Sequence, residues 1–428
     1  MSVRLSTLRN GMRVVTHAMP HLETVSLGIW VGAGARFETI AEHGISHLLE
    51  HMAFKGTARR TARAIVEEIE SVGGDLNAAT SAETTAYYVR VLKGDVALAL
   101  DILADILQHP RFDSNELARE KDVILQEIAA TQDSPDDIVY DLAQEAAYPG
   151  QALGRPILGT VESVQDFTPP DLEQYLASRY APGSMVLAAA GGIDHDALVK
   201  MAEEAFTALP RDASATPEPA RYKGGIRYCE KPFEQNHLVL SFAGPSYRED
   251  DFYTAQVLSS CLGGGMSSRL FQEVREQRGL CYSIYSYCWG LSDTGLFGIH
   301  SATGPDQMLE LLSVVMAELG RIAEHAPQST EIDRSKAQLK AGLMMSLESS
   351  SARAEQLARQ MLAYGAPLEI DELIARVDAV NGNNMQALAE RLFAGGPASL
   401  AVVGSCLPIS DIEALAGKYA APVIEAAE

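Results

Sequence analysis

Apolar and small residues alternate from Val25 to Val31 (Val-Ser-Leu-Gly-Ile-Trp-Val), the two-residue period of a half-buried strand, and the run meets Gly32 with Arg36 just beyond. Leu238 to Phe242 (Leu-Val-Leu-Ser-Phe) has the same character and is followed by Gly244 and Arg248. The interval from Gly32 to Gly244 is identical to the interval from Arg36 to Arg248. A second pair shares that offset to within one position. The apolar run Met185 to Ala190 ends in Gly191, and Leu400 to Val403 ends in Gly404. Helical patterns precede these strands, at Leu172 to Tyr180 and at Met385 to Phe393, and others follow from about Asp196 and about Ser410. The common offset is close to half the length of the 428-residue chain, so the pattern predicts two copies of one unit.

The junction falls in Arg211 to Gly225 (RDASATPEPARYKGG), which has prolines and small polar residues but no apolar period. The predicted organisation is a first domain over 1–212, a linker over 213–225 and a second domain over 226–428. Within the first copy, Leu76 to Val91 reads as a strand pair or one long strand after Gly73-Gly74, and Val96 to Gln108 and Glu116 to Ala130 read as consecutive helices. There is no βαβ rhythm. The expectation is an α+β fold with two homologous halves, each an antiparallel β-sheet with helices packed on one face.

Hydrophobic residues make up 47% of the chain, enough for large cores. With 34 Lys+Arg against 57 Asp+Glu the net charge is −23, which argues against nucleic acid or an anionic membrane as a partner. The balance is compatible with basic substrates, although acidic surfaces also serve solubility. The cysteines Cys229, Cys261, Cys281, Cys288 and Cys406 are odd in number and contain no CxxC, so no disulfide framework is expected. The opening MSVRLSTLRNGMRVV has no apolar signal core, and no apolar run approaches a membrane span. A soluble cytoplasmic protein is the expectation.

Among ten histidines one local cluster stands out: His43-Gly-Ile-Ser-His47-Leu-Leu-Glu50-His51. His47, Glu50 and His51 share one face of a single helical turn. Two imidazoles one turn apart can meet one Zn²⁺, each nitrogen about 2.0–2.1 Å from it. The carboxylate between them is then placed beside the open coordination position. This is the inverted zinc-protease spacing H-x-x-E-H. His43 is set aside, because Gly44 intervenes and the helix is expected to start there. A third ligand is required. The helix read from Ser114 or Asn115, with Ser114 as N-cap and an apolar stripe of Leu117, Val123, Ile124 and Ile128, carries several carboxylates. Glu127 is one choice, with Glu120 two turns away as an acceptor for a ligand histidine, but chemistry alone does not separate Glu127 from Glu116, Glu120 and Asp122.

The residues His47-Leu-Leu-Glu50-His51-Met-Ala-Phe-Lys-Gly-Thr57 resemble the zinc motif of the pitrilysin/insulinase-type metallopeptidases, and their MAFKGT extension resembles the branch of the mitochondrial processing peptidase β subunit and its bacterial relatives. The resemblance extends through LSTLRNGMRVV, Gly73 to Thr80 and Arg119 to Ile128, and so covers nearly the whole chain. In that family the third ligand is a glutamate at a set interval beyond the last motif histidine, which here is Glu127, and an acidic residue two turns earlier matches Glu120. VREQRGLCY, Val274 to Tyr282, resembles the segment whose arginine and tyrosine contact substrate near the scissile bond, matching Arg275 and Tyr282. Gly263-Gly264-Gly265 resembles a glycine-rich segment of the same half.

The resemblance implies a zinc metalloendopeptidase with one Zn²⁺ per chain on His47, His51 and Glu127, and Glu50 as general base. Tyr282 would assist the oxyanion, and short or unstructured, basic peptides would lie extended along the edge formed by Asn77, Ala78, Ala79 and Thr80. It further implies paired chains forming a clamshell chamber. This chain carries both motif and Arg–Tyr pair, so a homodimer completed in trans is expected, with a heterodimer with a related subunit as the alternative. Met1 beside the family's mature start implies a bacterial cytoplasm. Shifting the chain by the Gly32-to-Gly244 offset places Ser259, Leu262, Gly263 and Leu339 on His47, Glu50, His51 and Glu127, so the second copy is expected to lack a metal site. Two rivals are a non-catalytic scaffold or core subunit of the same family, which predicts a degraded motif, and an unrelated metal-dependent amidohydrolase, which leaves the duplication unexplained.

Overall fold

The computed structural model describes residues 3–210, 216–394, 396–406 and 409–416; residues 213–215 of the expected linker and 417–428 of the expected second domain lie outside them. Two compact units form: Met1–Ala129 with Pro156–Glu218 and Met344–Pro367, and Ala130–Arg155 with Pro219–Leu343 and Leu368–Glu428.

In the first unit, β1 (Val3–Thr7), β2 (Arg13–Ala18), β3 (Thr24–Val31), β4 (Asp75–Thr80), β5 (Thr85–Leu92) and β6 (Met185–Gly191) make a six-stranded sheet in the order β1-β2-β6-β3-β5-β4. In the second, β7 (Gly225–Glu230), β8 (Asn236–Gly244), β9 (Cys281–Gly290), β10 (Gly295–Thr303) and β11 (Ser399–Gly404) are ordered β7-β11-β8-β10-β9. Without β1 the two orders match strand for strand. Pairing sense agrees as well: β2–β6 and β7–β11 are parallel and the other pairs antiparallel. The repeat in the sequence is therefore a repeat of topology. β3 matches β8 and β6 matches β11, as the glycine pairs required.

Two sequence expectations change here. The compact units are not the contiguous stretches 1–212 and 226–428, because each half lends a helix to the other half's unit. Helices also cover both faces of each sheet rather than one. The reason is visible in β6, whose seven residues are all buried. Leu187 and Ala189 face the main core, while Val186, Ala188 and Ala190 point to the opposite face. A strand apolar on both parities needs cover on both sides. The helix Ser350–Tyr364 supplies it with Ala354, Leu357, Ala358 and Met361. Its repeat-mate Pro135–Ala147 does the same in the second unit, setting Ile138, Val139 and Ala143 against Val239, Ala401 and Val403. Each of these helices is capped by a serine hydroxyl, Ser349 and Ser134, that accepts an N–H in the first turn.

Candidate metal centre

The motif helix runs Ile45–Ala53. Gly44 begins it with φ +94, where a Cβ would lie 2.8 Å from Gly159 Cα, so only glycine fits this left-handed, crowded position. The buried Glu38 carboxylate accepts the N–H groups of Gly44 and Ser46, both at 2.8 Å, and so satisfies the positive end of the helix. Ile45, Leu48, Leu49 and Met52 are buried in the core, which leaves His47, Glu50 and His51 on the opposite, partly open face. His43 turns away, its Nε2 2.8 Å from the Pro156 carbonyl.

The facing helix is Ser114–Gln132. Its cap is Asp113, whose carboxylate accepts the N–H groups of Asn115 and Glu116, rather than Ser114. Leu117 and Ile124 are buried and Ile128 packs on the core, whereas Val123 of the expected stripe is exposed. This rotation aims Glu127 at the motif helix. Its Oε2 is 3.6 Å from His47 Nε2 and its Oε1 is 3.8 Å from His51 Nε2. Metal–ligand bonds of about 2.0–2.2 Å at tetrahedral angles separate donors by about 3.4 Å, so the three groups fit one Zn²⁺ with little movement. Of the competing carboxylates, Glu116 pairs with Arg119 at 2.6 Å and Asp122 is exposed.

Glu120 lies behind His51. Its Oε2 is 3.0 Å from His51 Nδ1 and its Oε1 is 2.6 Å from Lys55 Nζ. A carboxylate only accepts, so Nδ1 carries the proton and Nε2 keeps its lone pair for a metal. Burial, with His51 beside it, pulls the His47 pKa down to about 4, which keeps that imidazole neutral as a ligand must be.

Glu50 stands one turn along, accepting the Thr80 hydroxyl at 2.5 Å. Burial raises its pKa above the usual carboxylate value, the direction a general base at neutral pH requires. Thr80 ends β4, an edge strand on which Asn77, Ala78, Ala79 and Thr80 are paired to β5 on one side only. In the second unit Arg275 sits in a π-helical turn, Phe271–Glu276, a wide turn type frequent at functional sites. Its guanidinium lies 4.6 Å from the Phe271 ring centre and 5.0 Å from that of Tyr282, and Tyr282 is 77% exposed at the start of β9.

The repeat-mate of the motif helix, Phe252–Gly263, offers no ligand at the matched positions: Ser259, Leu262 and Gly263 are buried in it. A Cβ on Gly263 would lie 2.4 Å from the Ser286 backbone nitrogen, so no histidine fits there. Sequence reasoning missed Glu38, Lys55 and the Thr80–Glu50 hydrogen bond. Lys55 follows His51 at the spacing of one helical turn, but the helix ends at Ala53 and the i, i+4 rule no longer places it. Among the described residues no helix is long and apolar enough to cross a membrane, and all five cysteines are free.

Residues 13–161 match the family described as Insulinase (Peptidase family M16), and 166–339 match Peptidase M16 inactive domain. The chain is 37% identical over 422 residues to an uncharacterized zinc protease of Streptomyces coelicolor, covering 96% of this chain and 91% of that one. It is 40% identical over 392 residues to an uncharacterized zinc protease of Bacillus subtilis, covering 91% and 96%. With a probable mitochondrial-processing peptidase subunit beta of Arabidopsis thaliana it shares 36% over 424 residues, covering 96% and 79%. In fold it resembles a solved Pseudomonas fluorescens structure described as a peptidase M16 inactive domain, with TM-score 0.88, 23% identity and coverage of 95% and 98%. The duplicated architecture and these similarities together make the chain a member of the M16, or insulinase, family of zinc peptidases.

Proposed function

We propose that this chain is a zinc metalloendopeptidase that hydrolyses short or unstructured, basic peptides. One observation carries the reading: His47 Nε2, His51 Nε2 and Glu127 converge from two helices, with Glu50 beside them and tied to a free sheet edge. One Zn²⁺ at this site supplies Lewis acidity for the attacking water and the scissile carbonyl. Glu50 takes the water proton as the oxygen adds to the carbonyl carbon, and returns it to the amine nitrogen as the C–N bond breaks. Thr80 orients the Glu50 carboxylate through its hydroxyl. The peptide backbone adds as a strand along Asn77 to Thr80, which grips an extended substrate while reading little of its sequence. The net charge of −23 supports a preference for basic peptides.

Cleavage of a quenched basic peptide tests this. A chelator should abolish turnover and added Zn²⁺ restore it; chelator-resistant cleavage, or none by the zinc-loaded chain, sinks the reading. The intact ligand set and base favour catalysis over a scaffold role. The free thiols and lack of a CxxC support a cytoplasmic location.

Arg275 and Tyr282 are proposed to complete the site of a second copy in trans, Tyr282 by hydrogen bonding the developing oxyanion. Each member of a homodimer would then contribute to both sites. Mixing inactive Glu50→Gln chains with inactive Arg275→Ala chains should restore about one quarter of the native activity, because half the dimers are mixed and each has one intact site. No recovery after verified exchange of subunits would leave the pair acting in cis or with a related partner subunit.

A further inference from the structure

The second unit holds another convergence of ligand-type side chains. His237 on β8 and His300 on β10 lie on the same face of the sheet, since His237 pairs with Ala302, and Ala302 and His300 share a parity on β10. Asp136, in the first turn of the helix Pro135–Ala147, comes down over them. Its Oδ1 is 3.0 Å from His237 Nδ1 and 3.2 Å from His300 Nε2, and donors of all three residues lie within 4.8 Å of one another. These separations are close to the roughly 3.4 Å between ligands of a tetrahedral zinc-class ion.

A second observation points to a ligand there. His300 is only 3% exposed; no hydrogen bond reaches its Nδ1, and its Nε2 faces Asp136 Oδ1 at 3.2 Å without a well-formed hydrogen bond. Buried polar atoms are rarely left unsatisfied, and an ion on Nε2 is one of the few explanations for the nitrogen that faces Asp136. The ring is stacked on Tyr140 at 5.6 Å and 16° and lies 5.0 Å from Tyr285. Those two tyrosine hydroxyls satisfy each other at 2.6 Å and do not compete for it. Asp136 is exposed, so an ion and a coordinating water can enter from its side.

We propose that Asp136, His237 and His300 form a second divalent-metal site, of the zinc class, separate from the H-x-x-E-H centre. Two imidazoles and one carboxylate are borderline N/O donors suited to Zn²⁺, Co²⁺ or Ni²⁺. Without the ion, Asp136 accepts the Nδ1–H of His237; coordination through Nδ1 requires the other neutral tautomer, with that proton moved to Nε2, and turns both groups toward the metal. The ion would pin the helix lent by the first half to the strand pair β8–β10. None of the three residues lies in either segment that carries the family motif.

The test counts metal on the full chain. Protein stripped with chelator and dialysed is titrated with Zn²⁺ and passed through a desalting column, and its metal is measured by mass spectrometry. The His47→Ala/His51→Ala chain should keep one Zn²⁺, and adding Asp136→Asn and His237→Gln should remove it. No Zn²⁺ on the former, or retention on the latter, overturns the proposal. Asp136→Asn alone, a near-isosteric change at an exposed position, guards against misfolding: it should lower the native chain's content by one Zn²⁺, and an unchanged content is equally fatal. Because ions are counted without reference to turnover, failure of the peptidase reading would leave this result standing, and the converse also holds.

Discussion

Glu50→Gln will retain its zinc and lose peptide hydrolysis by about 10²- to 10⁴-fold, the usual contribution of a positioned general base. The substitution keeps the shape of the side chain. Its amide oxygen can still accept the Thr80 hydroxyl that now reaches Glu50 Oε2, so the contact between motif helix and edge strand should not shift. What disappears is the capacity to hold a proton between water and amine. A loss of about 10³ corresponds to about 4 kcal/mol of transition-state stabilisation. Single-turnover cleavage of a quenched peptide, with zinc content measured on the same sample, checks both halves. Activity within tenfold of native would remove Glu50 from the mechanism, and loss of zinc would make it a ligand instead.

Glu127→Gln will weaken zinc binding by more than Glu120→Gln. The carboxylate of Glu127 faces both Nε2 atoms, at 3.6 and 3.8 Å, and supplies the negative charge of the donor set. Glu120 touches no donor directly; it fixes the His51 tautomer from behind and is itself balanced by Lys55. Loss of an orienting partner of this kind typically costs about 10–100-fold in metal affinity, and loss of a charged ligand exceeds that. Competition against a chromophoric chelator ranks the two variants. Equal affinities, or a larger effect at Glu120, would contradict the geometry.

Several features are legible in the sequence. β3 and β8 could be read from alternation, and β6 and β11 from apolar runs ending in glycine, because a strand's period is local. The turn from His47 to His51 was legible for the same reason, its three side chains being fixed on one face by helix geometry. Other features were not. Val123 looked like part of a buried stripe, yet the helix is rotated so that it faces solvent, and that rotation aims Glu127. The N-cap moved from Ser114 to Asp113 because either side chain can accept the first-turn N–H groups and only the chain path decides which one reaches them.

The sequence by itself determined the doubling of the fold, the limitation of the motif to one copy, and the identity of the residues available for metal chemistry. All of these depend on short local spacings or on comparison of the chain with itself. Tertiary structure alone decided that each half lends a helix to the other half's sheet, because strands apolar on both faces need cover that their own half does not supply. It also brought Glu127, which the family resemblance named but local spacing did not separate from Glu116, Glu120 and Asp122, to His47 and His51, and it gathered Asp136, His237 and His300 from three distant elements. Such meetings depend on how helices rotate and strands register when the core packs, and no local period in the chain encodes them.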